Sequence, residues 1–265
     1  MATSATTVPT IDLRDLSRPR HAEWVQLSRE IDQGLLRTLH GLSGEDWSSV
    51  TDCAPWTVKD VAAHVLAWAE SIPSPKTFLS ESVVGFKQRR DFGGNMIDAQ
   101  NQHQVDKLAA LATAELIERL ERALPRFDKA RGLYGRFAVA IPYKQPFSST
   151  WVSLSFLMDA IFTRDHFMHH IDICRATGRE MPVGPAEIRV AHDAFKEWAT
   201  ALPEPVELVL TGPAGGQFRS GDATATIRGD AIDLCRVLAG RPSSDITIEG
   251  DEARGREWLK RKAIF

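Results

Sequence analysis

The sequence predicts two domains of different texture, a four-helix bundle over residues 1–182 followed by a small α+β domain over residues 183–265. Three observations carry this. Long stretches of the first part repeat apolar residues at helical spacing. The connection between two of them is long enough for the crossover found in many bundles. Beyond Pro182 short β-like runs alternate with helical ones, the pattern of a mixed domain.

In chain order, Met1 to Pro9 is small and polar, and regular structure is not expected in the first dozen residues. The first helix is expected over Pro19–Leu42, with Trp24, Leu27, Ile31, Leu35 and Leu39 on one face and Gly41 and Ser43-Gly44 ending it. Thr57 is an N-cap for a second helix that runs to Ser71, because Pro73 and Pro75 forbid continuation. Two prolines and three glycines make Pro73–Asn95 read as a long connection. A third helix is expected over Asp98–Phe127, frayed near Pro125, then a turn-rich segment over Arg131–Gln145. The fourth is expected over Ser149–Ala176, closed by Gly178. In the second domain a helix over Pro185–Ala201 leads to strands at Val206–Leu210, Ala223–Arg228 and Asp245–Glu249, with helices at Asp230–Ala239 and Glu252–Arg261.

Composition excludes several classes. Apolar residues make up 43% and charged residues 25% of the 265, the balance of a globular protein, with net charge −3. The densest basic cluster, Arg254–Lys262, is broken by Glu257, so no nucleic-acid partner is expected. No apolar run approaches the ~18 residues of a membrane span, and the N-terminus lacks a secretory pattern. A cytoplasmic location is the expectation, with Cys53, Cys174 and Cys235 as reduced thiols. Oligomeric state is left at monomer or homodimer.

Chemistry is expected on the fourth helix. On a wheel of about 100° per residue, Leu154, Met158, Ile161 and Phe162 lie within roughly 60° of Asp165, so Asp165, His169 and Asp172 face the other helices. Carboxylates and an imidazole turned into a core need compensation, which a metal supplies. Asp165 and His169, four apart, can share one ion. His166 and His170 form a second such pair but fall on what reads as a polar flank. His64 sits at the edge of the second helix's apolar stripe, beside Trp68. Its spacing alone fits either a metal ligand or a partly buried histidine bonded to a neighbouring carbonyl.

The string Cys53-Ala54-Pro55-Trp56-Thr57-Val58-Lys59-Asp60-Val61-Ala62-Ala63-His64-Val65 resembles the motif CPGWTVxDVxAHL of the mycothiol-dependent maleylpyruvate isomerase-like branch of the DinB proteins. Arg164-Asp165-His166-Phe167-Met168-His169-His170-Ile171-Asp172-Ile173 is similar to its RxxExxxHxxDL motif, followed by Arg175-Ala176-Thr177-Gly178. The resemblance implies a DinB-like bundle in which His64, Asp165 and His169 hold one divalent metal, zinc first, with mycothiol as the thiol cofactor. Asp165 stands where the family has Glu, a side chain longer by one carbon–carbon bond, about 1.5 Å. Gly229–Arg241 is similar to the GxxxDLxxxLxGR signature of the family's C-terminal, sterol-carrier-like domain. There the resemblance implies an arginine that helps bind an acidic substrate or cofactor; Arg241 is the candidate, and the cation after a helix C-terminus is its plain alternative. Trp68 is the aromatic candidate for the cofactor wall. Asp172 is a candidate acceptor for a ligand imidazole.

The implied reaction is addition of the thiolate to the cis double bond of maleylpyruvate, rotation about the resulting single bond, and elimination to the trans isomer. Related proteins transfer the thiol to other electrophiles, so an S-transferase acting on a small electrophilic substrate is the same expectation in wider form. A metal-assisted hydrolase and a non-catalytic metal- or ligand-binding protein are the rivals.

Overall fold

The computed structural model describes residues 9–138, 140–144, 151–243 and 245–265. Its elements in chain order begin with strand β1 (Thr10–Asp12) and helices α1 (His21–His40), α2 (Val58–Ser71), α3 (Pro75–Gln88), α4 (Met96–Leu108) and α5 (Thr113–Phe137). A hairpin of β2 (Pro142–Lys144) and β3 (Trp151–Ser153) follows. Then come a single turn α6 (Leu154–Phe156), a π turn over Leu157–Ile161 and helix α7 (Phe162–Ala176). Helix α8 (Pro185–Ala201) precedes β4 (Glu207–Thr211), β5 (Gly216–Arg219), β6 (Ala225–Asp230), α9 (Ala231–Leu238), β7 (Thr247–Gly250) and α10 (Glu252–Lys260). The chain divides into two compact units, Arg20–Pro182 and Val183–Phe265 joined by the N-terminal segment up to Pro19.

In the helical unit α1 packs on α5 and α7, and α2 on α5, α4 and α7. The stripe read from the sequence is the buried face of α1: Trp24, Leu27, Ile31, Leu35 and Leu39 are all in the core. Thr57 caps α2 in a reciprocal box with Asp60, each side chain taking the other's backbone N–H. Every residue of α2 from Val61 to Ala69 is buried.

Three expectations need correction here. The stretch expected to be a connection contains α3, because Ser74 caps it and Pro75 occupies the first helical position, where proline loses no hydrogen bond. Gly85 is a packing residue rather than a breaker: a Cβ there would lie 2.7 Å from the Met96 carbonyl oxygen on α4. The expected third helix is two, α4 and α5, parted at residues 109–112 by a turn that contains neither Gly nor Pro. Lys59 from α2 donates to the Ala109 carbonyl at 2.7 Å. Tertiary contact, not a local breaker, makes the break. Finally, α5 runs through Pro125 to Phe137, over residues read as turn-rich, because Leu124, Phe127, Asp128 and Arg131 are buried along it. The expected fourth helix begins only at Leu154, because Trp151–Ser153 pairs as strand β3 with Pro142–Lys144; its expected start at Ser149 lies outside the described residues.

The second unit is a five-stranded sheet of order β1-β5-β4-β6-β7, with β1–β5 and β4–β6 parallel and the other pairs antiparallel. Leu208, Leu210, Phe218, Ala225 and Ile227 are its buried residues. Two strands of this unit escaped the sequence reading, as β2 and β3 did in the other. Strand β1 lies in the segment expected to be unstructured, and β5 begins at Gly216, read as a turn glycine. The three cysteines are free thiols. Among the described residues no helix is long and apolar enough to cross a membrane.

Candidate metal centre

Helices α2 and α7 meet where His64, Asp165 and His169 face one another. His64 and His169 are buried, and the Asp165 side chain keeps 24% of its surface. Asp165 stands between the imidazoles, Oδ2 at 3.6 Å from His64 Nε2 and Oδ1 at 3.4 Å from His169 Nε2. The rings are 4.9 Å apart and nearly perpendicular, at 78°. One donor atom from each residue lies within 4.8 Å of the other two.

These separations exceed an ordinary hydrogen bond of roughly 2.7–3.2 Å. They match a different object. A metal with bonds of about 2.1 Å sets tetrahedral ligand atoms about 3.4 Å apart. The shorter aspartate is no obstacle to this geometry, because α2 and α7 approach closely enough for one carboxylate to face both rings.

Electrostatics agree with a site built to hold positive charge. Burial pulls the His64 imidazole below its ordinary pKa, against the pull of Asp165. Burial would raise the Asp165 carboxyl, but the positive charge of His169, with that of His64, holds it well below the usual range. Burial likewise opposes the His169 imidazolium, yet Asp165, then Asp172 and Cys53, raise it well above its ordinary value.

Around the triad, Trp56 is tilted over His64, ring centroids 5.1 Å apart, and its indole N–H donates to Gln102 at 3.0 Å. Trp68 is buried against Phe162 and Phe78, with its N–H on Asn101 at 3.0 Å. The half-buried Trp56 is thus the indole that lies against His64. Neither amide of α4 was singled out from the sequence; polar residues orienting a buried indole carry no local signature.

The expected polar flank of α7 is a correction. His166 and His170 are both fully buried. His166 Nδ1 lies 2.5 Å from Asp32 Oδ1 and its ring stacks on Phe127, while His170 Nε2 pairs with Thr38 Oγ1 at 2.7 Å. They face α1, away from the triad, and their pairing is structural. The wheel missed their burial because the π turn adds a residue to the coil ahead of Phe162 and α1 covers a second side of α7.

Arg241 belongs to the other unit, just past α9. Gly240 takes φ +83°, the Arg241 N–H closes on the Arg236 carbonyl at 2.8 Å, and the guanidinium reaches the Ala239 carbonyl at 3.4 Å. This is the geometry of a glycine-terminated helix end.

The family model described as the mycothiol maleylpyruvate isomerase N-terminal domain matches residues 28–174, and that of the MDMPI C-terminal domain matches residues 187–256. A crystal structure of the mycothiol-dependent maleylpyruvate isomerase is similar at 18% identity and TM-score 0.56, over 91% of this chain and 96% of that one. A histidine-to-alanine variant of that enzyme aligns over the same shares at 17% identity and TM-score 0.56. At such identity the likeness is one of fold. None of the curated proteins matches the sequence.

Proposed function

Because the chain belongs to the mycothiol maleylpyruvate isomerase family, we propose that it is a metal-dependent enzyme that joins a low-molecular-weight thiol of the mycothiol type to a small electrophilic substrate, as an isomerase or an S-transferase. One observation carries this reading: the donor atoms of His64, Asp165 and His169 converge within 4.8 Å. His64 Nε2, an Asp165 oxygen and His169 Nε2 are the ligands. Zinc is the first candidate, although two imidazoles and a carboxylate also suit nickel, iron or cobalt. Three protein ligands leave a coordination position for a non-protein group.

When bound, the ion supplies positive charge that keeps a thiol ionised near neutral pH. Asp165, as the only anionic ligand, leaves a dication with net positive charge toward the thiol. Trp56 shields His64 on one side. In the isomerase reaction the thiolate sulfur would bond to one carbon of the cis double bond while the π pair moves onto the conjugated carbonyl as an enolate. The single bond left behind rotates before that pair returns. The same sulfur then departs with its electron pair as the trans double bond forms. Arg241 is the candidate for the acidic group of substrate or cofactor, Trp68 supports the aromatic wall, and a reducing cytoplasm suits the free thiols.

The test is thiol conjugation or isomerisation measured with and without chelator. Turnover that needs both added thiol and metal is expected. Turnover indifferent to chelator removes the metal from the reading, and turnover without thiol makes the protein a hydrolase.

A pH dependence follows from the raised His169 pKa. The ion has to displace the His169 proton, so uptake near neutral pH releases about one proton, and affinity climbs up to about tenfold per pH unit until His169 is already neutral. In the metal-free protein, His169 contributes stability below its ordinary pKa that is lost as pH rises through the raised value; Asp165 contributes stability above its ordinary pKa that is lost as pH falls through the lowered one. Calorimetry of zinc uptake in buffers of different ionisation enthalpy counts the protons. Uptake without proton release contradicts the assignment of His169.

A further inference from the structure

Two motif residues near the triad have no part in that scheme. Asp172 is a fully buried carboxylate one turn beyond His169, and a buried carboxylate requires hydrogen-bond donors. Its Oδ2 lies 3.3 Å from His169 Nδ1 and 3.3 Å from Cys53 Sγ, and the sulfur is 4.0 Å from the same Nδ1. Cys53 comes from the segment leading into α2. Its N–H donates to Thr51 Oγ1 at 3.2 Å, and its carbonyl accepts the Trp56 N–H at 3.0 Å. The same short segment therefore carries the thiol, the indole over His64 and the Thr57 cap of α2.

We propose that Asp172 and Cys53 are positioning residues that set the His169 ring and tie it to the His64 helix. The inference rests on the metal-binding reading above. The Asp172 carboxylate accepts the His169 Nδ1 hydrogen, which fixes the tautomer and leaves the Nε2 lone pair directed at Asp165 and His64. The Cys53 thiol donates to the same oxygen and so anchors the carboxylate from the α2 side. Cys53 is here a hydrogen-bond donor, neither nucleophile nor ligand. The arrangement gives a physical reason for two positions that are 119 residues apart in sequence to meet.

Cobalt(II) uptake tests this without reference to turnover. Affinity is measured by competition with a chromophoric chelator for the parent, Asp172→Ala, Cys53→Ala and Cys53→Ser. Asp172→Ala is expected to weaken binding about 10–100-fold, the usual effect of losing such a partner. Cys53→Ala is expected to weaken it less, by under about tenfold, with Cys53→Ser recovering part of the loss through its hydroxyl donor. In the zinc-loaded parent the His169 Nδ1 hydrogen is expected to exchange slowly with solvent, and rapidly in Asp172→Ala. Should Asp172→Ala not fold, the two Cys53 variants still decide the matter. Parental affinity and slow exchange in all variants overturn the proposal while leaving the metal site intact. A sulfur-to-cobalt charge-transfer band in the parent that Cys53→Ala abolishes makes the thiol a ligand and overturns it as well. A parent that takes up no cobalt, in contrast, defeats the metal-binding reading itself.

Discussion

His64→Ala is expected to lower the metal content from about one ion per chain to a small fraction of that, because two ligands from one helix remain where structural and catalytic zinc sites use three or four from the protein. Thiol-dependent turnover should fall by more than the roughly 100-fold that loss of an outer partner produces. Folding should survive. His64 Nδ1 has no hydrogen-bond partner among the described residues, so the substitution orphans no donor or acceptor on that side. It removes the mutual pull between His64 and Asp165 and leaves space beneath Trp56. His170→Ala is the matched control: it deletes an equally buried imidazole that pairs with Thr38, and it should keep the metal while losing stability. Elemental analysis of gel-filtered protein, with thermal melts of the metal-free forms, separates the two cases. A His64→Ala protein that retains the parent's metal content sinks the triad.

How far the sequence alone reaches is visible in the same residues. The faces of α1 and α2 follow from spacing and a capping threonine, and α8 has the bounds its flanking prolines indicate. These are local signals. Convergence of His64 with Asp165 and His169 was legible only through motif resemblance, since spacing within α2 by itself favoured a bland buried histidine. The misreadings share a cause: a residue's local habit was overruled by what lay across from it. Pro75 starts a helix because Ser74 caps it, and Gly85 is there because α4 passes within contact. Pro125 stays inside α5, on its exposed side, because the opposite face is buried both before and after it. His166 and His170 are covered by α1, with Asp32 and Thr38 to receive them. Asp32 and Thr38 lie more than 100 residues from their histidines, and periodicity cannot report contacts it does not span.

Arg131→Met is expected to produce the largest loss of stability of any single substitution considered, about 3–5 kcal/mol, the usual consequence of removing one member of a buried charge network. The guanidinium is buried on α5, and its Nε donates to the Met158 carbonyl at 2.5 Å. Nη1 donates to Ser28 Oγ at 2.6 Å, and Nη2 to the Asp159 carbonyl and Thr163 Oγ1 at 3.1 and 2.8 Å. Two of these acceptors are carbonyls of the π turn, where the ordinary helical pairing is interrupted. Arg131 thereby holds the irregular turn that sets the phase of α7, and with it the direction of Asp165. Ser28 passes the contact on, donating to Asp128 Oδ1 at 2.9 Å. Burial, then the charge of Asp32, pushes the Asp128 carboxyl up to about 6, with Arg131 opposing the rise. Methionine keeps the volume of the stem but removes that opposition, so Asp128 rises further. A carboxyl raised in the folded state contributes stability below its unfolded pKa and loses it as pH climbs through the folded one. The deficit of the variant should therefore be smaller at pH 5 than at pH 8, and Asp128→Asn added to Arg131→Met should recover part of it at pH 8. Urea melts at the two pH values measure both effects. A deficit independent of pH, or one under about 1 kcal/mol, the typical effect of an ordinary substitution, means that Arg131 fills space without holding the turn.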